Sequence, residues 1–207
     1  MLGFQPKPGI KHKDIYLMVF NATKKSMFSN QMGEFPITSA HGNKYIMVAV
    51  ELDGNYIDCE PIQSRKAKSL TKAYQAIFQR WKSTGVCPNW HILNNEAPEE
   101  LNQAICDNNC RVEVTLADQH RQNVTKSAIQ TFKGHFISVL AGVVDGFPIN
   151  QWDELLPQTI LTLNLLRQSN AAPNISAYAY HHGSFDYNRM PIAPMGCAVQ
   201  FHIKPGQ

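Results

Sequence analysis

Residues 118–140 read DQHRQNVTKSAIQTFKGHFISVL. Val124, Ala128, Phe132, Phe136 and Leu140 recur at every fourth position. Steps of four lay one apolar stripe along a helix, the pattern of a helix set on a core. Asn123, Lys126, Gln130 and Lys133 fall on the opposite face, three and four apart. The stretch therefore predicts a long helix that buries one side and shows cations on the other.

Working outward, residues 43–52 (NKYIMVAVEL) form the best strand in the chain, a run of apolar and β-branched residues. Gly54-Asn55 supplies a tight turn, and residues 56–61 return as the hairpin partner. Shorter strands are predicted at 14–20, 26–30, 90–93 and 112–115. A helix over 67–84 buries Leu70, Tyr74, Ile77, Phe78 and Trp81, and Gly85 ends it. A second covers 98–107, with Pro98 in its first turn. A last helix over 150–167 turns Trp152, Leu155, Leu156, Ile160 and Leu163 inward, with a kink expected at Pro157. The tail, 171–207, reads as irregular structure plus one strand at 198–203. A meander followed by alternating helix and strand implies an α/β fold, a mixed sheet with helices on its faces.

Hydrophobic residues make up 43% of the 207 residues and charged ones 17%, which excludes a disordered chain. The length suits one large domain with flanking pieces, or two small ones. A net charge of +3 permits a nucleic-acid partner without requiring one. No apolar run approaches the ~20 residues of a membrane span, and MLGFQPKPGI lacks the apolar core of a signal peptide. The expectation is an intracellular protein, the nucleus included, with no membrane partner. Cys59, Cys87, Cys106, Cys110 and Cys197 are odd in number and scattered, which predicts free thiols. No nucleophile elbow, Walker loop or dinucleotide fingerprint is present.

Several local words resemble those of a known family. Ser29-Asn30-Gln31-Met32-Gly33-Glu34-Phe35-Pro36 and Gly42-Asn43-Lys44-Tyr45-Ile46-Met47-Val48 resemble the first two strands of a retrotransposon integrase core of the copia-like type. Leu93-Asn94-Asn95-Glu96-Ala97 resembles its L-D-N-E-A word. His120-Arg121-Gln122-Asn123 with Ala128-Ile129-Gln130-Thr131-Phe132-Lys133-Gly134-His135-Phe136 resembles its catalytic helix. Trp152-Asp153, Leu155-Leu156-Pro157-Gln158 and Phe185-Asp186-Tyr187-Asn188-Arg189 resemble its later segments. The likeness runs over residues 26–205. It implies a ribonuclease-H-like sheet of about five strands with helices on both faces. It also implies an arm or partial strand at 1–25, a core at 26–168 and an extension at 169–207 packed on that core.

The resemblance further implies an enzyme that joins DNA ends with two Mg²⁺ ions held by an Asp, an Asp and a Glu. Such ions bridge the attacking and leaving oxygens, and Mg²⁺ demands hard anionic ligands. Here the first Asp position falls on Asn30, the second on Asn94 and the Glu on Lys126. An amide oxygen can ligate but brings no charge. Like unit charges ~4 Å apart repel by roughly 4 kcal/mol at an effective dielectric of 20, and a divalent ion doubles that. Mg²⁺, the family's cofactor, is therefore expected to be lost, and strand transfer with it. Gln122, Ser127 and Gln130 stand where the family usually carries Arg, which weakens phosphate contact. Arg121, Asn123, Lys126 and Lys133 remain as candidate nucleic-acid contacts, against the plainer reading of Lys126 and Lys133 as solvated lysines.

Other candidates are weaker. Glu96 is the nearest surviving carboxylate, but reads more simply as a favourable charge at a helix start. Asp58 and Glu60 read as edge-strand charges that keep a sheet soluble. Cys106, Cys110 and His120 are one ligand short of a zinc site and read as buried thiols. His181-His182 before Gly183 reads as a surface turn. The expectation is thus a degenerate integrase core that binds DNA weakly and without sequence preference, with no small-molecule cofactor. The alternatives are a module for homo-oligomer assembly through the apolar surface of 152–167, or a residual nuclease using Glu96, Asp58 or Glu60 with one metal.

Overall fold

The computed structural model describes residues 25–94, 97–115 and 121–200. The predicted strand at 14–20, Glu96 and His120 lie outside the described residues. The elements run β1 (Ser26–Gln31), β2 (Tyr45–Glu51), β3 (Tyr56–Ile62), α1 (Ala67–Ser83), β4 (Trp90–Asn94), α2 (Glu99–Asp107), β5 (Arg111–Thr115) and α3 (Arg121–Ala141). A 3-10 segment, Ile149–Leu155, leads into α4 (Leu156–Leu166), and α5 (Ala177–His182) follows in the tail.

One five-stranded sheet has the order β3-β2-β1-β4-β5. β1 pairs antiparallel with β2 and parallel with β4. β2 and β3 form the antiparallel hairpin, and β4 and β5 run parallel. Strand side chains alternate between faces. Met27, Met47, Ala49 and Leu93 therefore join Tyr74, Ile77 and Trp81 of α1 and Ile105 of α2 on one side. Phe28, Val48, Val50 and Ile92 join Ala128, Phe132 and Phe136 of α3 and Leu156 and Leu163 of α4 on the other. This is the mixed sheet with helices on both faces that the element order predicts.

The stripe of α3 is buried as its period requires. Phe132 and Phe136 are wholly enclosed and stack at 5.9 Å, and Phe136 meets Trp152 edge-on at 6.4 Å. Each such ring contributes about 2–3 kcal/mol by leaving water. No helix among the described residues is long and apolar enough to cross a membrane.

β3 is an edge strand, yet it offers little for another strand to pair with. Asn164 of α4 accepts from the Ile57 amide at 2.9 Å and donates to the Ile57 carbonyl at 2.7 Å. The Cys59 amide donates to Asp58 Oδ1, and the Cys59 carbonyl accepts from Arg80 Nη2. Pro61 has no N–H to present. The chain thus blocks its own edge with side chains and a proline.

At the hairpin turn the Glu51 carboxylate, 1% exposed, accepts from the amides of Asp53 and Gly54 at 2.8 and 2.6 Å. His181 of α5 lies 3.3 Å from the same carboxylate and stacks on Tyr56 at 4.1 Å. A Cβ on Gly54 would come within 2.6 Å of both Glu51 Oε2 and Tyr180, so only glycine fits.

Several expectations need correction. His181 is buried and not a surface residue, because Glu51 and Tyr56 enclose it. Residues 177–182 are helical, with Ser176 Oγ accepting from the Ala179 amide as the cap. Residues 198–200 are not strand. Pro157 does not kink a continuous helix. The segment before it is 3-10, with its irregular residue at Gln151, and Pro157 sits in the first turn of α4, where its missing N–H costs nothing. Pro98 caps α2 from outside its first turn.

Replacing Asn164 by Leu keeps the branched shape and strands the Ile57 amide and carbonyl without partners. The expected loss is about 2–5 kcal/mol of unfolding free energy in a urea titration. A change under about 1 kcal/mol would contradict this account of the edge.

Candidate functional site

Asn30 is the next-to-last residue of β1 and Asn94 the last of β4, two adjacent parallel strands at the centre of the sheet. Ser29 pairs with Leu93, so the backbones of Asn30 and Asn94 lie side by side one residue further on. Neighbouring strands sit about 4.8 Å apart. The row extends outward from Asn30 to Val48 and Cys59, and from Asn94 to Thr115. The carboxyl ends of parallel strands are where open α/β sheets place their ligands. Asn30 is half-buried, and its Oδ1 accepts from the Gln31 amide at 2.8 Å.

α3 crosses the face that carries Phe28. Lys126 and Lys133 are exposed on it. Seven residues is two turns, so they share a side of the helix about 10 Å apart. Val124 and Thr125 bracket the inward edge of that first stretch, Thr125 being 1% exposed. Arg121 and Asn123 belong to the first turn of α3, and their side chains lie outside the described residues.

The donor set does not suit Mg²⁺. The Asn30 amide oxygen is neutral and already accepts one hydrogen bond. Among the described residues no three His, Cys, Asp or Glu side chains gather in a way that could hold a metal ion. Asp58 and Glu60 are engaged elsewhere. Asp58 is buried against α1, where Arg80 Nε and Nη2 bond its oxygens at 3.2 and 3.0 Å and Trp81 Nε1 bonds it at 2.9 Å. Glu60 takes Arg80 Nη1 at 2.7 Å. The expectation that Asp58 is a solubilising edge charge is therefore wrong, because α1 covers it with a guanidinium. Cys106 is exposed, not buried, while Cys110 is buried; all five thiols are free.

No family model matches the chain, and no curated protein matches it. Among solved structures it is similar to the catalytic core domain of BIV integrase, with a TM-score of 0.57 over 76% of this chain and 93% of that one, at 13% identity. The fold is that of an integrase catalytic core. A chain of the simian T-cell lymphotropic virus intasome in complex with PP2A regulatory subunit B56 gamma is also similar. There the TM-score is 0.61 at 12% identity, over 87% of this chain and 60% of that one, so this chain spans less than two thirds of it. Identities this low speak for the integrase-core fold and no further.

Within that fold, sequence reasoning passed over two things. One is a cleft of about 440 Å³ at the β3 edge, lined by Asp58, Glu60, Arg80, Tyr178 and His182 among others. Its polar groups largely bond one another, as in Tyr56 Oη to His182 Nε2 at 3.2 Å. The other is a basic segment. Residues 61–95 carry Arg65, Lys66, Lys68, Lys72, Arg80 and Lys82 with no Asp or Glu among them. That imbalance was readable as charge patterning.

The wall behind β1 and β4 includes His91, fully buried, with Nε2 2.7 Å from Ser29 Oγ and its ring stacked on Tyr74 at 5.1 Å. Burial pushes the imidazole down to about 3. The unfolded chain takes up this proton near 6.5 and the folded one refuses it until about 3. His91 therefore makes stability fall as pH drops through that window, by up to about 1.4 kcal/mol per pH unit, and contributes nothing to the slope above it. Unfolding free energies measured from pH 7 to pH 4 should show this slope. His91→Leu should flatten it while lowering stability at pH 7, and an unchanged slope in that variant would contradict the assignment.

Proposed function

We propose that this chain is a degenerate integrase-type core, of the copia-like retrotransposon kind, that binds DNA through its phosphates and does not join it. The supporting observation is the strand-end site itself. Asn30 and Asn94 stand side by side at the carboxyl ends of the two central parallel strands, and both are neutral amides. A pair of divalent ions needs anionic oxygens there to offset its charge. Lys126 and Lys133 on the exposed side of α3 favour an anion over a cation. Phosphate contacts of this kind carry affinity without sequence preference. DNA is the partner on this reading, and a nuclear location follows from it.

The test is an end-joining assay with donor-end DNA in Mg²⁺ or Mn²⁺, run beside a binding titration at several salt concentrations. The reading predicts no strand transfer above background, and affinity that falls steeply with salt. Lys126→Glu with Lys133→Glu should weaken binding across unrelated sequences alike. Strand transfer that vanishes on Asn30→Ala would overturn the reading.

A tight dimer with no DNA affinity would favour the assembly module instead. Most of the apolar surface expected to serve that role is used at home, because Trp152, Leu155, Leu156 and Leu163 are all buried in the chain's own core. Leu166, 77% exposed, is the exception.

A further inference from the structure

β3 runs parallel to β1, because each is antiparallel to β2. The carboxyl end of β3 therefore lies at the same end of the sheet as Asn30 and Asn94. Ile62 closes β3, and α1 begins five residues later at Ala67. The link between them, with the first turns of α1, carries Arg65, Lys66, Lys68 and Lys72, all exposed. This basic segment is thus delivered to the strand-end site by the topology, not merely by composition.

Arg65 ties the segment to that site directly. Its Nη2 donates to the Met32 carbonyl at 3.1 Å. Met32 lies two residues past Asn30, about 7 Å along the chain. The Arg65 guanidinium also lies over the Tyr45 ring at 4.7 Å. The ring face and the carbonyl fix the plane of the fork, and among the described residues its other donors bond nothing. A guanidinium oriented in this way, with donors to spare, suits a phosphate oxygen pair. Lys44, exposed at the start of β2, donates its amide to the Ile62 carbonyl and so flanks the same end.

Lys66 caps α1 without a side-chain hydrogen bond, and the first turn of α1 holds no acidic residue. The unpaired amides of that turn add their partial positive charge to the lysines. Opposing charge is present and not cancelled by its neutral hydrogen-bond donors, but the cations of the strip outnumber it. Glu34 accepts from Tyr45 Oη at 3.2 Å. Asp153 is bonded by His41 and Asn43 at 3.1 and 2.8 Å, and Glu154 lies 3.6 Å from His41.

We propose that the basic segment at the β3–α1 junction, Arg65 with Lys66 and Lys68 and flanked by Lys44, is a second phosphate-binding strip for duplex DNA. It lies across the sheet end from Lys126 and Lys133, so one backbone passing the carboxyl ends of β1 and β4 engages both. The inference rests on the DNA-binding reading above and adds where most of the footprint lies.

The experiment titrates the full chain with a labelled duplex of about 30 base pairs at 50 to 200 mM salt. Each phosphate contact contributes about 0.9 to the slope of log affinity against log salt. Lys66→Ala with Lys68→Ala should therefore make the slope shallower by about 2, and adding Arg65→Ala by about 3. Lys82→Ala, at the far end of α1, serves as the control and should change the slope by much less than one. Thermal unfolding of each variant checks folding, and Lys66 and Lys68, both exposed, make no side-chain bond among the described residues, so the pair keeps the test sound if the Arg65 change disturbs Met32. If DNA binds and the lysine pair leaves slope and affinity unchanged while Lys126→Glu with Lys133→Glu reduces them, this strip is refuted and the broader reading survives. If the chain binds no DNA, or only anionic lipid vesicles, both fail.

Discussion

The register of β1 is the constraint on which the rest depends. β1 pairs antiparallel on one side and parallel on the other, so it joins the two halves of the sheet and sets their relative shift. Alternation then sends Met27 and Ser29 to the α1 face and keeps Phe28 in the cluster beneath α3. A slip of one residue would exchange the faces. Ser29 would lose His91, and Phe28 would leave Phe132 and Phe136. The same register brings Asn30 beside Asn94. Packing and site geometry are therefore one fact here, and the core keeps the site's shape whether or not the site keeps its chemistry.

That coupling leaves the residues that hold the architecture distinct from those at the strand ends. The residues that hold the architecture are buried and apolar, or are buried polar groups with fixed partners such as Asn164 on Ile57 and Glu51 on the hairpin turn. None of them is Asn30, Asn94 or Lys126. A neutral amide at the half-buried Asn30 position, with its Oδ1 bonded by the Gln31 amide, costs the fold little. Arg65, Lys66, Lys68 and Lys126 are all exposed.

Legibility in the sequence followed the strength of the local signal. The period of four in α3 and the β-branched run of β2 were plain, and both elements are buried as read. The stripe of α1 was equally clear, with Leu70, Tyr74, Ile77, Phe78 and Trp81 all buried. What escaped reading was set by partners distant in sequence. Asp58 looked like an edge charge until Arg80 and Trp81 closed over it. His181 looked exposed until the tail brought it to Glu51. Six residues of α5 are too few to show a period, and it is held by a cap and by stacking on Tyr56. At the candidate site, the positions came from local words, while the nearness of Arg65 to Asn30 needed the strand order and the Met32 carbonyl.

The central proposal is that neutral Asn30 and Asn94 leave this strand end without the charge to hold a divalent ion. Calorimetric titration of Mg²⁺ tests it most directly, using the native chain beside a variant that combines Asn30→Asp, Asn94→Asp and Lys126→Glu. The account predicts no binding heat for the native chain and measurable binding for the variant. Saturable Mg²⁺ binding by the native chain, lost on Asn30→Ala, would contradict it.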